Sequence, residues 1–268
     1  MRAMRPLRVS LVQGATRWHD PAGNRDYYGE RIAALKGQGD LIVLPETFLS
    51  GFTNETLGNA ETMDGEGLRW LREAAVAAEA VVTGSLVVRE GETCVNRLVW
   101  MRPDGTHALY DKRHLFRMAG EHERYGSGRE RLIVELNGWR ICPQVCYDLR
   151  FPVWLRNGYD RGAERFDYDL LIVVANWPAA RRHAWRTLLR ARAIENLAYC
   201  VGVNRVGVDG NALAYAGDSA ALDFLGEALV DLGAQEQVVT VTLDPAALTA
   251  HRQRFPAWMD ADAFELRP

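Results

Sequence analysis

Cysteines and metal-ligating patterns are scarce in this 268-residue sequence. The four cysteines, at positions 94, 142, 146 and 200, are too few for a disulfide-stabilised scaffold and lack the Cys-x-x-Cys spacing of a zinc site. The six histidines show no ligand pattern such as His-Glu-x-x-His. We therefore expect a reducing, cytoplasmic compartment, no metal ion and no cofactor.

Long apolar runs and a large excess of one charge are also absent. No segment approaches the ~20 apolar residues of a membrane-spanning helix, and Arg8 and Ser10 break the N-terminal stretch too early for a signal peptide. With a net charge of -3 and a pI near 6.1, the chain lacks the broad basic field that nucleic acid requires. These features favour a small-molecule substrate and predict neither a nucleic-acid nor a membrane partner.

The overall composition, with 48% hydrophobic and 25% charged residues, is typical of a globular domain with a large core. We predict a single domain over residues 1–268. The stretch RFPAWMDADAFELRP at 254–268 has no clear periodicity. It either packs as an arm against a partner subunit or frays.

Short buried strands alternate with helices along the chain, and hairpins interrupt the alternation. Strands are predicted at 7–13, 40–46, 80–90, 94–112 (a pair turning at Asp104 and Gly105), 139–148, 168–178, 199–207, 217–224 and 237–244. Helices are predicted at 24–38, 66–80, 152–160, 179–198 and 245–252. This pattern predicts a layered α/β fold with mixed sheets and leaves the strand order open.

Three apolar strands end in a reactive side chain where the backbone leaves the sheet. DLIVLPETF ends in Glu46, ALYDKRHLF in Lys112 and ICPQVCYDLRFP in Cys146. Strand ends are where α/β folds place their chemistry. Taken singly, Glu46 could cap a helix, Lys112 could be a solvated loop charge, and a free cysteine is usually a small buried hydrophobe. The remaining cysteines are interpreted as structural: Cys94, Cys142 and Cys200.

Taken together, these segments resemble the nitrilase superfamily of carbon–nitrogen hydrolases over nearly the whole chain. The matching segments are LPETF, YDKRHLF, GEHERYGSG, VCYDLRFP and NWPAARRHAWRTLLRARAIENLAY. The resemblance implies a four-layer α-β-β-α sandwich with two mixed sheets, and an enzyme that hydrolyses a carbon–nitrogen bond in a non-peptide amide or nitrile. It also gives Glu121 an active-site role, to which the alternative is a surface ion pair with Arg117 or Arg124.

The residue types suit covalent amide hydrolysis, which needs a nucleophile, a proton carrier and donors for the oxyanion. We expect Cys146 to attack as a thiolate, its pKa lowered by about two units by the Lys112 cation. Glu46 is the predicted general base and acid. The Lys112 ammonium and the backbone N–H of Tyr147 are predicted to hold the oxyanion, and Glu121 to orient Lys112 or the substrate.

Within the superfamily, CYDLRFP and NWP look most like the ω-amidase branch, which hydrolyses short dicarboxylic acid monoamides such as α-ketoglutaramate and succinamate. Such a substrate needs a cation for its far carboxylate. Arg150 is the predicted cation, and its alternative role is an ion pair with Asp148 or Glu121. If the carboxylate binds elsewhere, the next candidates are Arg113, Arg117, Arg181 and Arg182. Asn176 and Trp177 are predicted pocket walls. Nitrilases and N-carbamoyl amidohydrolases share the triad and are alternatives, as is a catalytically silent binding protein of the same fold.

The helix from His183 to Leu197 has an apolar face that, with the resemblance, predicts a homodimer or higher homo-oligomer. Ordinary core packing is the alternative for that face, which comprises Trp185, Leu188, Leu189 and Ile194. The arginines along this segment are interpreted as a solvated or interfacial surface and not as an RNA-binding one. GDSAA lacks the second glycine of a nucleophile elbow, so Ser219 is interpreted as structural.

Overall fold

The computed structural model describes residues 4–262 and 264–266. Its strands are β1 (Leu7–Gln13), β2 (Leu41–Val43), β3 (Val81–Glu90), β4 (Thr93–Met101), β5 (His107–Asp111), β6 (Val134–Leu136), β7 (Trp139–Val145), β8 (Tyr159–Asp160), β9 (Arg165–Phe166), β10 (Leu170–Ala175), β11 (Tyr199–Asn204), β12 (Val206–Val208), β13 (Ala214–Ala216), β14 (Ala220–Leu222), β15 (Ala228–Asp231) and β16 (Gln237–Leu243). Its α-helices are α1 (Pro21–Ala33), α2 (Thr56–Asn59), α3 (Glu66–Ala78), α4 (Pro152–Leu155), α5 (Arg182–Asn196) and α6 (Pro245–Arg254). Short 3-10 helices lie at Arg117–Ala119, Glu121–Glu123, Cys146–Arg150, Ala179–Arg181 and Ala257–Asp260.

Within the described residues, two six-stranded sheets dominate the fold. The first has the order β16-β1-β2-β3-β4-β5 and the second the order β15-β14-β11-β10-β7-β6. Parallel pairing joins β1, β2 and β3 in the first sheet and β7, β10 and β11 in the second, and the other neighbours are antiparallel. The predicted mixed sheets are confirmed, and both sheets share one pairing pattern.

Alternate side chains of each strand point to opposite faces of the sheet and so enter different layers. In β2, Leu41 and Val43 lie in the core shared with the second sheet, whereas Ile42 lies in the core shared with α1 and α3. The sheets face each other through contacts such as those of β1 with β11, and α5 packs on β11 and β14. The layers therefore run helices, sheet, sheet, helix, which confirms the four-layer sandwich.

The predicted helix over 152–160 is wrong in its second half. Helix α4 ends at Leu155, and Asn157 already makes contacts outside any helix. Its backbone N–H donates to the side-chain oxygen of Asn196 at 2.9 Å, and its side-chain amide donates to the carbonyl of Tyr168 at 2.9 Å. These tertiary hydrogen bonds divert the chain into the small β8–β9 hairpin.

The C-terminal stretch 254–268 contacts its own subunit at Trp258. The ring centroid of Trp258 lies 3.8 Å from that of Tyr159 and 5.9 Å from that of Phe166. Positions 263, 267 and 268 of the predicted arm lie outside the described residues. The arm is thus attached to its own domain through at least one aromatic cluster.

Helix α5 turns much of its apolar face toward its own core. Trp185 is 0% exposed and Leu189 1% exposed, and both belong to the core that contains the second sheet. Leu188 also packs against that core, whereas Ile194 is 51% exposed. For Trp185 and Leu189 the alternative, core packing, is confirmed, because residues four apart on a helix face the same way and here face β11.

Arginines of this helix make internal contacts. Arg182 pairs with Asp218 at 2.7 Å, and Arg192 donates to the carbonyl of Leu149 at 2.7 and 3.1 Å. Ser219 is also used internally, since its buried hydroxyl bonds to the backbone of β11. These contacts make Arg182, Arg192 and Ser219 parts of the fold.

Candidate active site

Strand ends from both sheets meet at one place. Because β7 and β10 are parallel and Val145 is paired with Val174, Cys146 and Asn176 leave the second sheet close together. The sulfur of Cys146 lies 4.0 Å from the main-chain oxygen of Asn176. Glu46 follows β2 of the first sheet, and its carboxylate accepts a hydrogen bond from the Asn176 N–H at 2.7 Å. This bond joins the two sheets beside the thiol.

The backbone is strained at two points of this junction. Cys146 has φ +46° and Thr47 has φ +42°, which is the left-handed region. A non-glycine residue held there costs of order 1–3 kcal/mol and stays only where its surroundings fix it. Asp148 accepts a bond from the N–H of Val145 at 3.1 Å, and the N–H of Thr47 donates to Ser85 Oγ at 2.9 Å. The turn at Cys146 is therefore held by its own Asp148, and the turn at Thr47 is held by Ser85 of β3.

Three buried charged side chains form a cluster next to the thiol. The ammonium of Lys112 donates to the two oxygens of Glu121 at 2.8 and 2.9 Å and to Glu46 at 3.0 Å. All three side chains are inaccessible to solvent. Asn96 also donates to Glu46, at 2.8 Å. With both carboxylates ionised, the cluster has a net charge of -1 beside Cys146.

Burial and mutual charge set the pKa values within this cluster. Burial lowers the pKa of Lys112, but the charges of Glu121 and Glu46 outweigh burial and raise that pKa well above its usual range. Burial and the charge of Glu46 raise the pKa of Glu121, against the opposing effect of Lys112. Lys112 is consequently a cation at neutral pH.

The pKa of the Cys146 thiol is raised well above its usual range. Burial is the main cause, the charge of Glu46 adds to it, and Lys112 lowers the pKa by less. Lys112 thus acts in the expected direction, but the expected net lowering of this pKa is wrong, because burial and the charge of Glu46 outweigh the lysine. Two carboxylates already offset the lysine charge, so a thiolate would add a negative charge to a negative cluster. Attack by this sulfur would therefore require a base that takes the thiol proton.

Tyr147 follows the nucleophile within the 3-10 helix Cys146–Arg150 and lines the same cavity. N–H groups of a first helical turn have no acceptor within their helix. The Tyr147 N–H and the Lys112 ammonium are thus suitable donors for the oxyanion that would form on a carbonyl oxygen when the sulfur attacks its carbon. Its ring lies 5.0 Å from that of Phe116, which belongs to the cavity wall.

The thiol opens into a cavity of about 250 Å³. The cavity has mostly apolar and aromatic walls, which include Phe52, Phe116, Met118, Trp177, Pro178, Leu213 and Tyr215. Its polar lining includes Lys112 and Asn176, next to Cys146. Its small volume and apolar walls suit a short linear ligand.

Two arginines line the same cavity. The guanidinium of Arg150 lies 4.9 Å from the ring centroid of Trp177, and that of Arg181 lies 5.0 Å from the ring centroid of Phe116. Within residues 4–262 and 264–266, neither guanidinium is paired with a carboxylate. The cavity therefore combines an apolar wall with two cations suited to an anionic ligand group.

The alternative ion pair between Arg150 and Asp148 is not formed. Asp148 instead accepts from the backbone N–H and the ring of His114 at 2.9 and 2.7 Å, and from the hydroxyl of Tyr110 at 2.8 Å. Glu121, the other suggested partner, is bonded to Lys112. Arg150 is therefore available to a ligand.

Asn96 is not predicted from the sequence as a residue of this site, and Arg181 is predicted only as one of four alternatives to Arg150 for binding the carboxylate. Asn96 lies in the middle of the apolar segment CVNRLVWM and is 1% exposed. A polar residue within a buried strand could have indicated a site, because buried polar groups need partners. Arg181 stands among other arginines, so the sequence names it as a candidate cation but cannot choose it over its neighbours.

The three cysteines interpreted as structural are buried and unpaired. Burial raises the pKa of both Cys142 and Cys200 to about 12. Across the described part of the chain, no group of three or more His, Cys, Asp or Glu side chains is arranged to hold a metal ion. The helices of that part are also too short or too polar to cross a membrane.

Residues 8–253 match the model of the carbon–nitrogen hydrolase family. The chain is 47% identical to the protein named omega-amidase YafV of Yersinia enterocolitica, over 98% of this chain and 100% of that one. It is 31% identical to the 2-oxoglutaramate amidase of Bacillus subtilis, over 94% and 96% of the two chains.

Among solved structures, it resembles a CN-hydrolase superfamily protein of Xanthomonas campestris that has an arsenic adduct in its active site. The TM-score is 0.97 at 60% identity, covering 98% of this chain and 100% of that one. The predicted nitrilase-superfamily membership is thereby confirmed. The chain belongs to the carbon–nitrogen hydrolase family.

Proposed function

We propose that this chain is an ω-amidase, which releases ammonia from the terminal amide of a short dicarboxylic acid monoamide. One observation carries the proposal. A single small cavity contains the thiol of Cys146, next to the cluster around Lys112, and also the guanidinium groups of Arg150 and Arg181. Among the described residues, neither arginine has a carboxylate partner. The thiol end suits amide chemistry and the arginines suit a distant carboxylate. Relatives named omega-amidase and 2-oxoglutaramate amidase support the assignment.

In the acylation step, the sulfur of Cys146 bonds to the amide carbon while the thiol proton passes to Glu46. The carbonyl electrons move onto oxygen, and the Lys112 ammonium and the Tyr147 N–H stabilise the resulting oxyanion. When the oxyanion collapses, the carbon–nitrogen bond breaks. The nitrogen takes the proton from Glu46 and leaves as ammonia, and a thioester remains on Cys146.

In the deacylation step, water attacks the thioester carbon and gives a proton to Glu46. The second tetrahedral intermediate uses the same two donors and expels the sulfur of Cys146, which takes the proton back from Glu46. The product is the free dicarboxylic acid. Glu121 acts through Lys112 in both steps, because its two hydrogen bonds fix the ammonium next to the sulfur.

Recognition of the far carboxylate is assigned to Arg150, with Arg181 as the second cation of the cavity. A guanidinium group can make two parallel hydrogen bonds to a carboxylate, and such bonds strengthen where water is excluded. Trp177 supports Arg150 by stacking. Asn176 holds Glu46 in place and forms the wall beside the sulfur.

The test is ammonia release from 2-oxoglutaramate, succinamate and the neutral analogue butyramide. We expect both monoamides to exceed butyramide by at least about 30-fold in kcat/KM, which corresponds to about 2 kcal/mol of transition-state binding. Equal rates for succinamate and butyramide would overturn carboxylate recognition. Faster hydrolysis of a nitrile or of an N-carbamoyl compound would favour those activities, and no turnover of any of these compounds would favour a silent binding protein.

We also propose a cytoplasmic homodimer in which each subunit is a single domain with a C-terminal arm over 254–268. The apolar face offered to the partner includes Ile194, Leu225 and Phe255, which line one groove and are 51%, 54% and 57% exposed. Light scattering at micromolar concentration should give twice the 30.1 kDa monomer mass. A monomer would contradict the dimer, and Ile194→Asp should shift a true dimer toward monomer.

A further inference from the structure

A hydrogen-bonded contact links the two segments that carry the nucleophile and the lysine. His114 stands two residues after Lys112, and Asp148 stands two residues after Cys146. The ring Nδ1 of His114 lies 2.7 Å from one oxygen of Asp148, and the His114 backbone N–H donates to that same oxygen at 2.9 Å. A carboxylate only accepts, so Nδ1 is the donor in this contact.

The other oxygen of Asp148 serves the nucleophile turn. It accepts from the N–H of Val145 at 3.1 Å and from the hydroxyl of Tyr110 at 2.8 Å. Asp148 is fully buried, and neither lysine nor arginine pairs with it within the described ranges. Its four donors come from both segments, so the carboxylate is a common anchor for the strained turn at Cys146 and for the segment of Lys112.

Ring packing adds to the same link. The His114 ring stacks on Phe151 with centroids 3.7 Å apart and planes at 7°, at the end of the helix that begins with Cys146. Trp154 lies edge-on to His114 at 6.0 Å. Stacking fixes the plane of the ring and thereby the direction in which Nδ1 donates.

We propose that His114 is a positioning residue, which acts through Asp148 to hold the sulfur of Cys146 in line with Glu46 and Lys112. The nucleophile turn has a left-handed φ at Cys146, so it relaxes when its anchor is weakened. A displacement of about 1 Å from the productive geometry costs of order 100-fold in rate. The inference rests on the proposed amidase function only for its turnover assay.

The test compares three substitutions of His114. In His114→Asn the side-chain nitrogen can occupy the Nδ1 position and keep the bond to Asp148. In His114→Gln the nitrogen extends to the Nε2 position and loses that bond. His114→Phe keeps the ring stacking but has no donor. His107→Phe, at an exposed position of β5, is the matched control. Each variant is assayed for kcat and KM with succinamate, for thermal unfolding, and for the rate at which iodoacetamide alkylates Cys146.

We expect His114→Gln and His114→Phe to lose 10- to 100-fold in kcat, with KM changed less than about threefold. Alkylation of Cys146 should slow in parallel, because the thiol no longer faces its base. His114→Asn and His107→Phe should stay within about threefold of the original chain in both rates.

Loss of activity in His114→Asn equal to that in His114→Gln would overturn the proposal, as would unchanged or faster alkylation in the Gln and Phe variants. If the Phe variant does not fold, the Asn and Gln pair decides, since both are small polar replacements. If the original chain releases no ammonia from any amide, the proposed function fails, and the alkylation rates still decide the role of His114.

Discussion

The ammonium group of Lys112 donates to both carboxylate oxygens of Glu121, at 2.8 and 2.9 Å. Its contact with Glu46 is a single hydrogen bond at 3.0 Å. Glu121 therefore takes the larger share in neutralising the lysine, while the carboxylate of Glu46 is shared among Lys112, Asn96 and the Asn176 N–H. Two buried carboxylates with different environments can have different roles. Here Glu121 suits the role of a positioning residue for Lys112, and Glu46 suits the proposed role of base.

Removal of Lys112 should strongly destabilise the fold. Lys112→Met leaves Glu46 and Glu121 buried without a cation, and breaking a buried pair in this way costs about 3–5 kcal/mol. Adding Glu121→Gln removes one of the unpaired charges, so the double variant should be more stable than Lys112→Met alone. Urea unfolding at pH 7 measures both values. A double variant less stable than Lys112→Met would show that unpaired carboxylate charges do not cause the loss of stability.

Cys146 should be the thiol that reacts with iodoacetamide. It is partly exposed and opens into the cavity, whereas Cys94, Cys142 and Cys200 are buried and out of reach of the reagent. Cys146→Ala should abolish ammonia release and leave the unfolding temperature within a few degrees, since alanine keeps the backbone path. Mass mapping of the alkylated peptide checks the site, and equal labelling of all four cysteines would refute the assignment.

Glu46 and Lys112 should act as a unit with the nucleophile. Glu46→Gln removes the base, and Lys112→Met removes an oxyanion donor typically worth about 10²- to 10³-fold in rate. The double variant should lose far less than the product of the two single losses, because parts of one catalytic unit are not additive. Steady-state kcat values of folded protein test this. Fully multiplicative losses would show independent roles.

The arginines of the cavity should set the preference for monoamides of dicarboxylic acids. If Arg150 binds the far carboxylate, Arg150→Met should lower kcat/KM for succinamate by about 30- to 900-fold, or about 2–4 kcal/mol, and should leave butyramide nearly unaffected. Arg181→Met is the matched variant on the other side of the cavity. Should the preference survive Arg150→Met and vanish in Arg181→Met, the carboxylate site belongs to Arg181.

Stability should fall as the pH rises from about 9 to about 12. The pKa of Cys142 and of Cys200 is raised to about 12 in the folded state by burial, so the unfolded chain loses these protons first. The folded state then binds more protons, and each thiol lowers the free energy of unfolding by about 1.4 kcal/mol per pH unit. Below about pH 9 both the folded and the unfolded chain keep these thiol protons, so the free energy of unfolding is not reduced there.

Cys200→Ala should therefore reduce the alkaline slope by about 1.4 kcal/mol per pH unit. Val201→Ala, at the neighbouring position of β11, is the control, because it creates a cavity without removing a titrating group. Urea unfolding over this pH range measures the slope. An unchanged slope in Cys200→Ala would show that burial of this thiol does not govern alkaline unfolding.

Local pattern alone predicts most of the elements of this fold and the order of its reactive residues. Short apolar runs predict β1, β7 and β10, and amphipathic periodicity predicts α3 and α5, because these signals depend on near neighbours in the chain. The helix predicted over 24–38 spans Pro21–Ala33 instead. The helix over 152–160 is a larger exception. There, Asn157 makes hydrogen bonds to residues about 40 and 11 positions away, which no local pattern contains.

The sequence by itself therefore determines that Glu46, Lys112 and Cys146 follow strands, and the resemblance adds Glu121 to them. Only the tertiary structure decides that Trp185 faces the core, that Arg181 joins the cavity and that the pKa of Cys146 is raised. These outcomes depend on burial and on charges brought together from distant segments. A residue's partners in space, and hence its local dielectric, exist only once the two sheets have packed.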